Sequence, residues 1–102
     1  MQILHKTQND TLIIFLIGEL DEYASNFARS KIDKIISENR LGKVVFDCSG
    51  LNFMDSTGIG IFLGRYKKLQ QYNTPIFIAH AKTSVDRVLY LSGLYNIMPK
   101  IS

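Results

Sequence analysis

The sequence predicts an α/β fold, a mostly parallel mixed β-sheet of about five strands with helices packed against it. Three observations point there. Short apolar runs rich in Ile, Val and Phe, at residues 11–17, 44–46 and 76–79, alternate with longer stretches whose apolar residues recur at helical spacing. The first strong run is preceded by a weaker strand-like segment across the turn signal Asn9-Asp10, which predicts a starting hairpin. Thereafter strand and helix alternate, the order that builds parallel sheets with crossover helices.

Residues 2–7 form the weak strand and residues 11–17 the strong one. The latter are apolar at consecutive positions, which predicts burial on both faces. Gly18-Glu19-Leu20-Asp21-Glu22 ends it. A helix follows with apolar positions Ala24, Phe27, Ala28, Ile32, Ile35 and Ile36; Asp21 is its expected N-cap, Glu22 suits its first turn, and Gly42 closes it. Residues 43–47 are the next strand. Ile59, Phe62, Leu63, Tyr66 and Leu69 then mark one face of a second helix that runs to about Gln71. Asn73-Thr74-Pro75 breaks it, and residues 76–79 are a strand with Pro75 at its start. Thr83 or Ser84 caps a third helix with the face Val85, Val88 and Leu89, ended by Gly93. Ile97-Met98 is a last short strand that Pro99 marks as an edge.

The stretch between the second strong strand and the second helix organises the chain. Asp55 is a good N-cap, because its carboxylate can accept hydrogen bonds from the free N–H groups of the first turn. Ser56 then falls at the helix N-terminus, where unpaired N–H groups and the positive end of the dipole favour a phosphate. Gly58, Gly60 and Gly64 each cost that helix about 1 kcal/mol relative to Ala. The expected assignment is Gly64 to close packing on the sheet, and Gly58 with Gly60 to access by a partner. Right-handed crossovers gather every strand-to-helix loop on one edge of the sheet. Residues 18–23, the Ser56 loop and residues 80–83 therefore share a rim, the place where partners of open α/β sheets dock.

Composition excludes several classes. The 102 residues suffice for one domain, 46% hydrophobic and 21% charged, as in soluble globular proteins. No run approaches a membrane span, and the N-terminus lacks signal-peptide layout. The single Cys48 forms no internal disulfide and fits a small core residue in a reducing cytoplasm. The net charge of +3 is dispersed among acids, without the basic stripe and stacking aromatics of a nucleic-acid binder. A serine hydrolase needs a base beside its nucleophile, yet the two histidines are His5, far from the rim, and His80, without a nucleophile elbow around Ser56. One Cys and two distant His make no metal ligand set, and Walker A and dinucleotide fingerprints are absent. Asp47, Asp55 and Asp21 fit loosely the acidic cluster of a phosphate-accepting receiver domain. What remains is a passive role. Ser56 is a hydroxyl on an accessible rim, and phosphorylation there adds about −1.5 to −2 charge in front of a docked partner, with Asp55 and Asp21 adding repulsion toward an acidic one.

At these residues the chain resembles the anti-sigma-factor antagonists of Gram-positive spore formers, which are single STAS domains. The matching pieces are Gly18-Glu19-Leu20-Asp21, Val44-Val45-Phe46-Asp47, Phe53-Met54-Asp55-Ser56-Thr57-Gly58-Ile59-Gly60 and Val88-Leu89-Tyr90-Leu91-Ser92-Gly93-Leu94. The similarity covers nearly the whole chain in the family's order, and Phe62-Leu63-Gly64-Arg65-Tyr66-Lys67 looks more like the sporulation branch than the general-stress branch. The resemblance implies a STAS fold and a cytoplasmic partner-switching regulator, not an enzyme. Its dephosphorylated form would bind an anti-sigma factor, itself a serine kinase, and release the sigma factor. The kinase would phosphorylate Ser56, with Thr57 a lesser acceptor, and a PP2C-type phosphatase would restore it. Asp21 matches an aspartate of the kinase-contacting loop. The expected contact set is Asp21, Glu22, Tyr23, Asp55, Ser56, Thr57, Gly58 and Ile59. ATP or ADP belongs to the partner, so this chain takes no cofactor or metal. It is expected to be a monomer when free, and to contact neither membrane nor nucleic acid. Alternatives are a STAS scaffold or accessory module without a phosphoswitch, a general-stress antagonist, and a domain that binds or hydrolyses nucleotide itself. Family members often continue into a further C-terminal helix, whereas this sequence stops at Ser102, which leaves that flank of the sheet undetermined.

Overall fold

The computed structural model describes residues 1–39 and 42–102. Four strands, β1 (Gln2–Gln8), β2 (Thr11–Leu20), β3 (Lys43–Met54) and β4 (Ile76–Ala79), lie side by side in the order in which the chain makes them. Helices α1 (Ser25–Glu38), α2 (Ser56–Gln70) and α3 (Thr83–Leu91) follow β2, β3 and β4, and a 3₁₀ turn, Leu94–Asn96, comes after α3.

The starting hairpin forms as its turn residues dictate. Asn9 and Asp10 both have positive φ, +49° and +60°, the conformation that a two-residue hairpin loop matched to strand twist requires. Asp10 also reaches across the fold. Its Oδ1 accepts the Gly42 N–H at 3.0 Å, and its carbonyl accepts the Lys43 N–H at 3.3 Å. The hairpin tip is thereby fastened to the start of β3. β1 and β2 are antiparallel, while β2–β3 and β3–β4 are parallel, with Leu12 opposite Val44, Ile14 opposite Phe46, and Phe46 opposite Ile78.

One face of the sheet carries the core. Leu12, Ile14 and Leu16 of β2 are fully buried, together with Phe46 and Cys48 of β3 and Ile78 of β4. They form one cluster with Ile32 of α1, Phe62 of α2 and Leu89 of α3. Phe46 and Phe62 meet edge to face, 5.0 Å between ring centres, a favoured aromatic geometry. The expectation that β2 is buried on both faces fails, because Ile13, Phe15 and Ile17 are only half-buried. The strand order explains why. Each right-handed crossover moves one strand further in the same direction, so the helices collect on a single face.

Other boundaries differ from the sequence reading for local reasons. Asp21 accepts the Ala24 N–H at 3.0 Å and so caps a turn that precedes α1, which begins only at Ser25. Phe27 faces away from the buried line Ala28, Ile32 and Ile35 and is half exposed. The end of α1 is closed by Asn39 rather than Gly42, through its side-chain Nδ2–H donating to the Ile35 carbonyl at 2.9 Å. β3 continues seven residues beyond Asp47 to Met54, because β2 also continues, pairing Leu20 with Met54 past irregularities at residues 15–19. Lys82 stands at the N-cap of α3 without a capping bond from its side chain, and Thr83 is already helical. Ile97-Met98 is not a strand. Pairing shifts to the residues behind Pro99: the Pro99 carbonyl accepts from Ile78 N–H, Ile101 N–H donates to Ile78, and the Ser102 carbonyl accepts from His80 N–H. Pro99 contributes a carbonyl there and needs no N–H, which suits an edge.

One polar cluster ties α1 to α2, and another ties α3 to the residues that follow it. Asp33 of α1 holds Arg65 and Lys68 of α2, at 3.0 and 2.8 Å, with Arg65 almost fully buried. Asp86 of α3 accepts from the Tyr95 hydroxyl at 2.6 Å and pairs with Lys100 at 3.0 Å. The Tyr95 and Lys100 bonds hold the Asp86 carboxyl below its usual range. Burial and the neighbouring Asp86 push Tyr95 upward.

Candidate functional site

Because β2, β3 and β4 are parallel, their C-terminal ends lie on one edge, and the three loops expected to share a rim do so. The packing beneath is close. Leu20 pairs with Met54, and both lie under Gly58 in the first turn of α2, where an added β-carbon would collide with the Met54 side chain and come within 3.2 Å of Leu20. The residue after Leu20 is Asp21 and the residue before Gly58 by two is Ser56, so this small contact sets the two loops side by side. The third loop is fastened by Lys82, whose ammonium donates to Asn52 Oδ1 at 2.5 Å.

Ser56 is the first residue of α2 and is exposed. Asp55, in an extended conformation, is the cap. Its Oδ1 accepts the Thr57 N–H at 2.9 Å, and its carbonyl accepts the Ile59 N–H at 3.2 Å. Capping is therefore done by the residue before the serine, and among the described residues the Ser56 hydroxyl has no hydrogen-bond partner. It stands in solvent at the positive end of a helix of 15 residues. Thr57 and Ile59 are half-buried beside it.

The glycines divide otherwise than expected. Gly58 is buried, and its lack of a side chain is a packing requirement. Gly60 and Gly64 have no atom within 4 Å of where a β-carbon would stand, so neither is needed for packing.

Of the remaining candidates, Glu22 is exposed and Tyr23 is 98% exposed, standing clear of the surface between β2 and α1. Asp21 is half-buried, with one carboxylate oxygen engaged by Ala24. Two aromatic residues outside the expected set join the rim: Phe27, 50% exposed on the first turn of α1, and Phe53, 47% exposed and paired with Glu19 at the end of β3. The sequence reading places Phe27 on the apolar face of α1 with Ala28, Ile32 and Ile35, and the rotation of the helix about its axis turns it outward instead. Glu19, Asp21, Glu22 and Asp55 make the rim acidic in a chain of net charge +3.

The other chemical candidates lie apart. Asp47 sits on the open face of the sheet opposite Phe15 and accepts from the Ser49 N–H and hydroxyl, away from Asp21 and Asp55. His5 is opposite Ile14 on the edge strand. His80 is on the rim at φ +60°, and among the described residues no hydrogen bond joins either histidine to Ser56. Burial, with Asp47 nearby, pushes the Cys48 thiol up to about 12. A cleft of about 930 Å³ lies at the opposite end of the molecule, between the last turns of α1 and α2, lined by Asp33, Ser37, Val44, Lys68 and Tyr72. No described helix is long and apolar enough to cross a membrane.

Comparison with known proteins bears on the fold and the family. The STAS domain model matches residues 2–102. The anti-sigma F factor antagonist of Paenibacillus polymyxa is 36% identical over 99 residues, covering 97% of this chain and 85% of the relative. That of Lysinibacillus sphaericus is 32% identical, covering 89% and 78%. Among solved structures, the anti-sigma factor antagonist SpoIIAA in its unphosphorylated form superimposes with a TM-score of 0.81 at 28% identity, over 99% of this chain and 89% of the other. The Bacillus cell fate determinant SpoIIAA in its phosphorylated form gives 0.72 at 27% identity, over 99% and 92%.

Proposed function

This chain belongs to the STAS domain family, and from that premise and its rim we propose that it is an anti-sigma factor antagonist switched by phosphorylation of Ser56. Dephosphorylated, it binds a cognate anti-sigma factor through the rim and frees the sigma factor. That partner is a serine kinase and carries the nucleotide. A phosphatase of the PP2C type reverses the modification. The two anti-sigma F factor antagonists among its relatives support the sporulation branch, and the protein acts in the cytoplasm as a binding partner, not an enzyme.

The observation that carries the reading is the uncommitted Ser56 hydroxyl on a helix already capped by Asp55. Phosphorylation there breaks no internal hydrogen bond, and the new charge sits at the favourable end of the dipole. The domain keeps its fold while its docking surface changes. A partner group pressed against Ser56 meets a bulky anion, on a rim where Asp21, Glu22 and Asp55 are already acidic. A thousandfold loss of affinity needs about 4 kcal/mol, within reach of a desolvated charge clash. Asp21, Glu22, Tyr23, Asp55, Thr57, Gly58 and Ile59 frame the contact, with Gly58 acting from below through packing.

The test is intact mass after incubation with a sporulation-type anti-sigma kinase and ATP. Wild type should gain one phosphate, about 80 Da, and Ser56→Ala should gain none. Complex formation by the two forms then reads the switch. No gain on wild type, with binding intact, would identify a STAS module without a phosphoswitch.

A further inference from the structure

Among the described residues no helix covers the face of the sheet opposite α1, α2 and α3, and on it β2 and β4 present Ile13, Phe15, Ile17 and Phe77, each half-buried, around a buried Val45 of β3. A largely parallel sheet ordinarily has both faces covered, and a contiguous apolar patch of this kind marks a contact surface. Its partial shield is two lysines. Lys6 lies over the Phe15 ring at 5.9 Å and Lys43 over the Phe77 ring at 5.8 Å.

We propose that this face binds a second copy of the chain, sheet against sheet, about a two-fold axis that crosses the strands at Val45. The charge layout points to this occupant. Val45 is in register with Ile13 on one side and Phe77 on the other. On the same strand and face, two residues before and two after it, stand Lys43 and Asp47. A two-fold axis at Val45 reverses β3 between copies, so each Lys43 comes to lie over Asp47 of the other copy. The same operation sets apolar side chains of β2 against those of the second β2. A partner surface that is uniformly acidic matches Lys43 and is repelled by Asp47, and a uniformly basic one does the reverse. A self-complementary pair about one point is the arrangement an isologous contact requires. Lys6, on the edge strand, reaches solvent at the margin of the contact.

The size of the face sets the strength. Four strands about 4.8 Å apart, read over about four alternate positions, give roughly 1,000 Å² buried in total. The molecule itself measures 29 × 26 × 22 Å, which permits no much larger contact. An interface at the low end of the specific range gives a reversible, concentration-dependent dimer, not the free monomer expected from the sequence. Ser56 lies on the helix-bearing side of the rim, so the dimer leaves it accessible, and this contact stands or falls independently of the phosphoswitch.

Sedimentation over a concentration series up to about 1 mM, at low salt, decides it. Wild type should move from monomer to dimer. Lys43→Asp and Asp47→Lys should each weaken the dimer at least tenfold, and the double reversal, Lys43→Asp with Asp47→Lys, should restore it to within about threefold. Ile13→Lys should be monomeric throughout with an unchanged circular dichroism spectrum; should it misfold, the charge-reversal cycle still decides. A wild-type protein that stays monomeric, or a double reversal no better than the single ones, overturns the proposal.

Discussion

Gly58 of α2 lies against Met54 of β3 with no room for a β-carbon between them. This contact joins the last residue of the strand to the first turn of the helix that carries Ser56. The conflict is with the Met54 Sδ at 2.9 Å and with the inner part of the same side chain, which cannot swing clear as a free end could. Gly58→Ala should therefore destabilise the fold by about 1–3 kcal/mol, read as a lower urea midpoint with unchanged slope. Gly64→Ala, with open space at the same point, should stabilise it by about 0.5–1 kcal/mol. A Gly58→Ala variant as stable as wild type would remove the packing role argued for that glycine.

Asp55 and Ser56 should separate cleanly in mutagenesis. Asp55→Ala loses the bond to the Thr57 N–H and should cost about 1 kcal/mol of stability. Ser56→Ala loses no internal bond and should melt within a degree or two of wild type. If Ser56→Ala proved the more damaging of the two, the serine would be a structural cap and the switch reading would weaken.

Phosphorylated protein should melt no lower than unmodified protein in low salt. A negative charge at a helix N-terminus stabilises by about 0.3–1 kcal/mol, and added salt should erase the difference. A large drop in melting temperature on phosphorylation, with loss of helical signal, would show that the modification acts by unfolding α2 instead.

The Asp86 cluster predicts acid sensitivity. Its carboxyl is held below the ordinary value of 3.8 by Tyr95 and then Lys100. A depressed folded-state pKa gives stability that is present above the ordinary value and lost as pH falls through the lower, folded one. Asp86→Asn should cost about 1 kcal/mol at neutral pH, and its unfolding should depend less on pH below 3.8 than that of wild type. Parallel pH profiles for the two proteins would rule the cluster out as a source of that dependence.

Cys48 should be inert while the fold holds. A thiol held near 12 by burial carries almost no thiolate at pH 8. Its modification by an aromatic disulfide reagent should follow the rate or extent of unfolding. Immediate labelling of native protein would contradict the burial of this side chain.

Local chemistry was legible where it acts alone. Asn9-Asp10 specifies a hairpin turn, Asp55 a cap, and the apolar run at residues 76–79 a strand, and each stands where the residues place it. The misreadings come from contacts between elements. The extent of β3 is set by pairing with β2, which no window of β3 alone contains. Residues 11–17 look the same whether helices cover one face or two, because hydrophobicity reports no neighbour. The roles of Gly58 and Gly64 hinge on what stands opposite each: Met54 for one and open space for the other. Asp21 has cap chemistry in either setting, and only the turn at residues 22–25 shows that the helix starts late. The position of Ser56 on the rim followed from alternation and handedness, whereas the exposure of Phe27 depended on how α1 is rotated about its axis.

The strand order of the sheet also bears on how the molecule comes into being. Each strand pairs with the one made just before it, β2 with β1, β3 with β2, β4 with β3. No strand must wait for a distant segment, so loop-closure costs stay small at every step and the sheet can grow outward as the chain leaves the ribosome. Ser56 and its helix then come into place on a template that is already laid down. A nascent chain halted after α2 should already hold β1, β2 and β3 paired, which pulse-labelled hydrogen exchange on stalled chains can read.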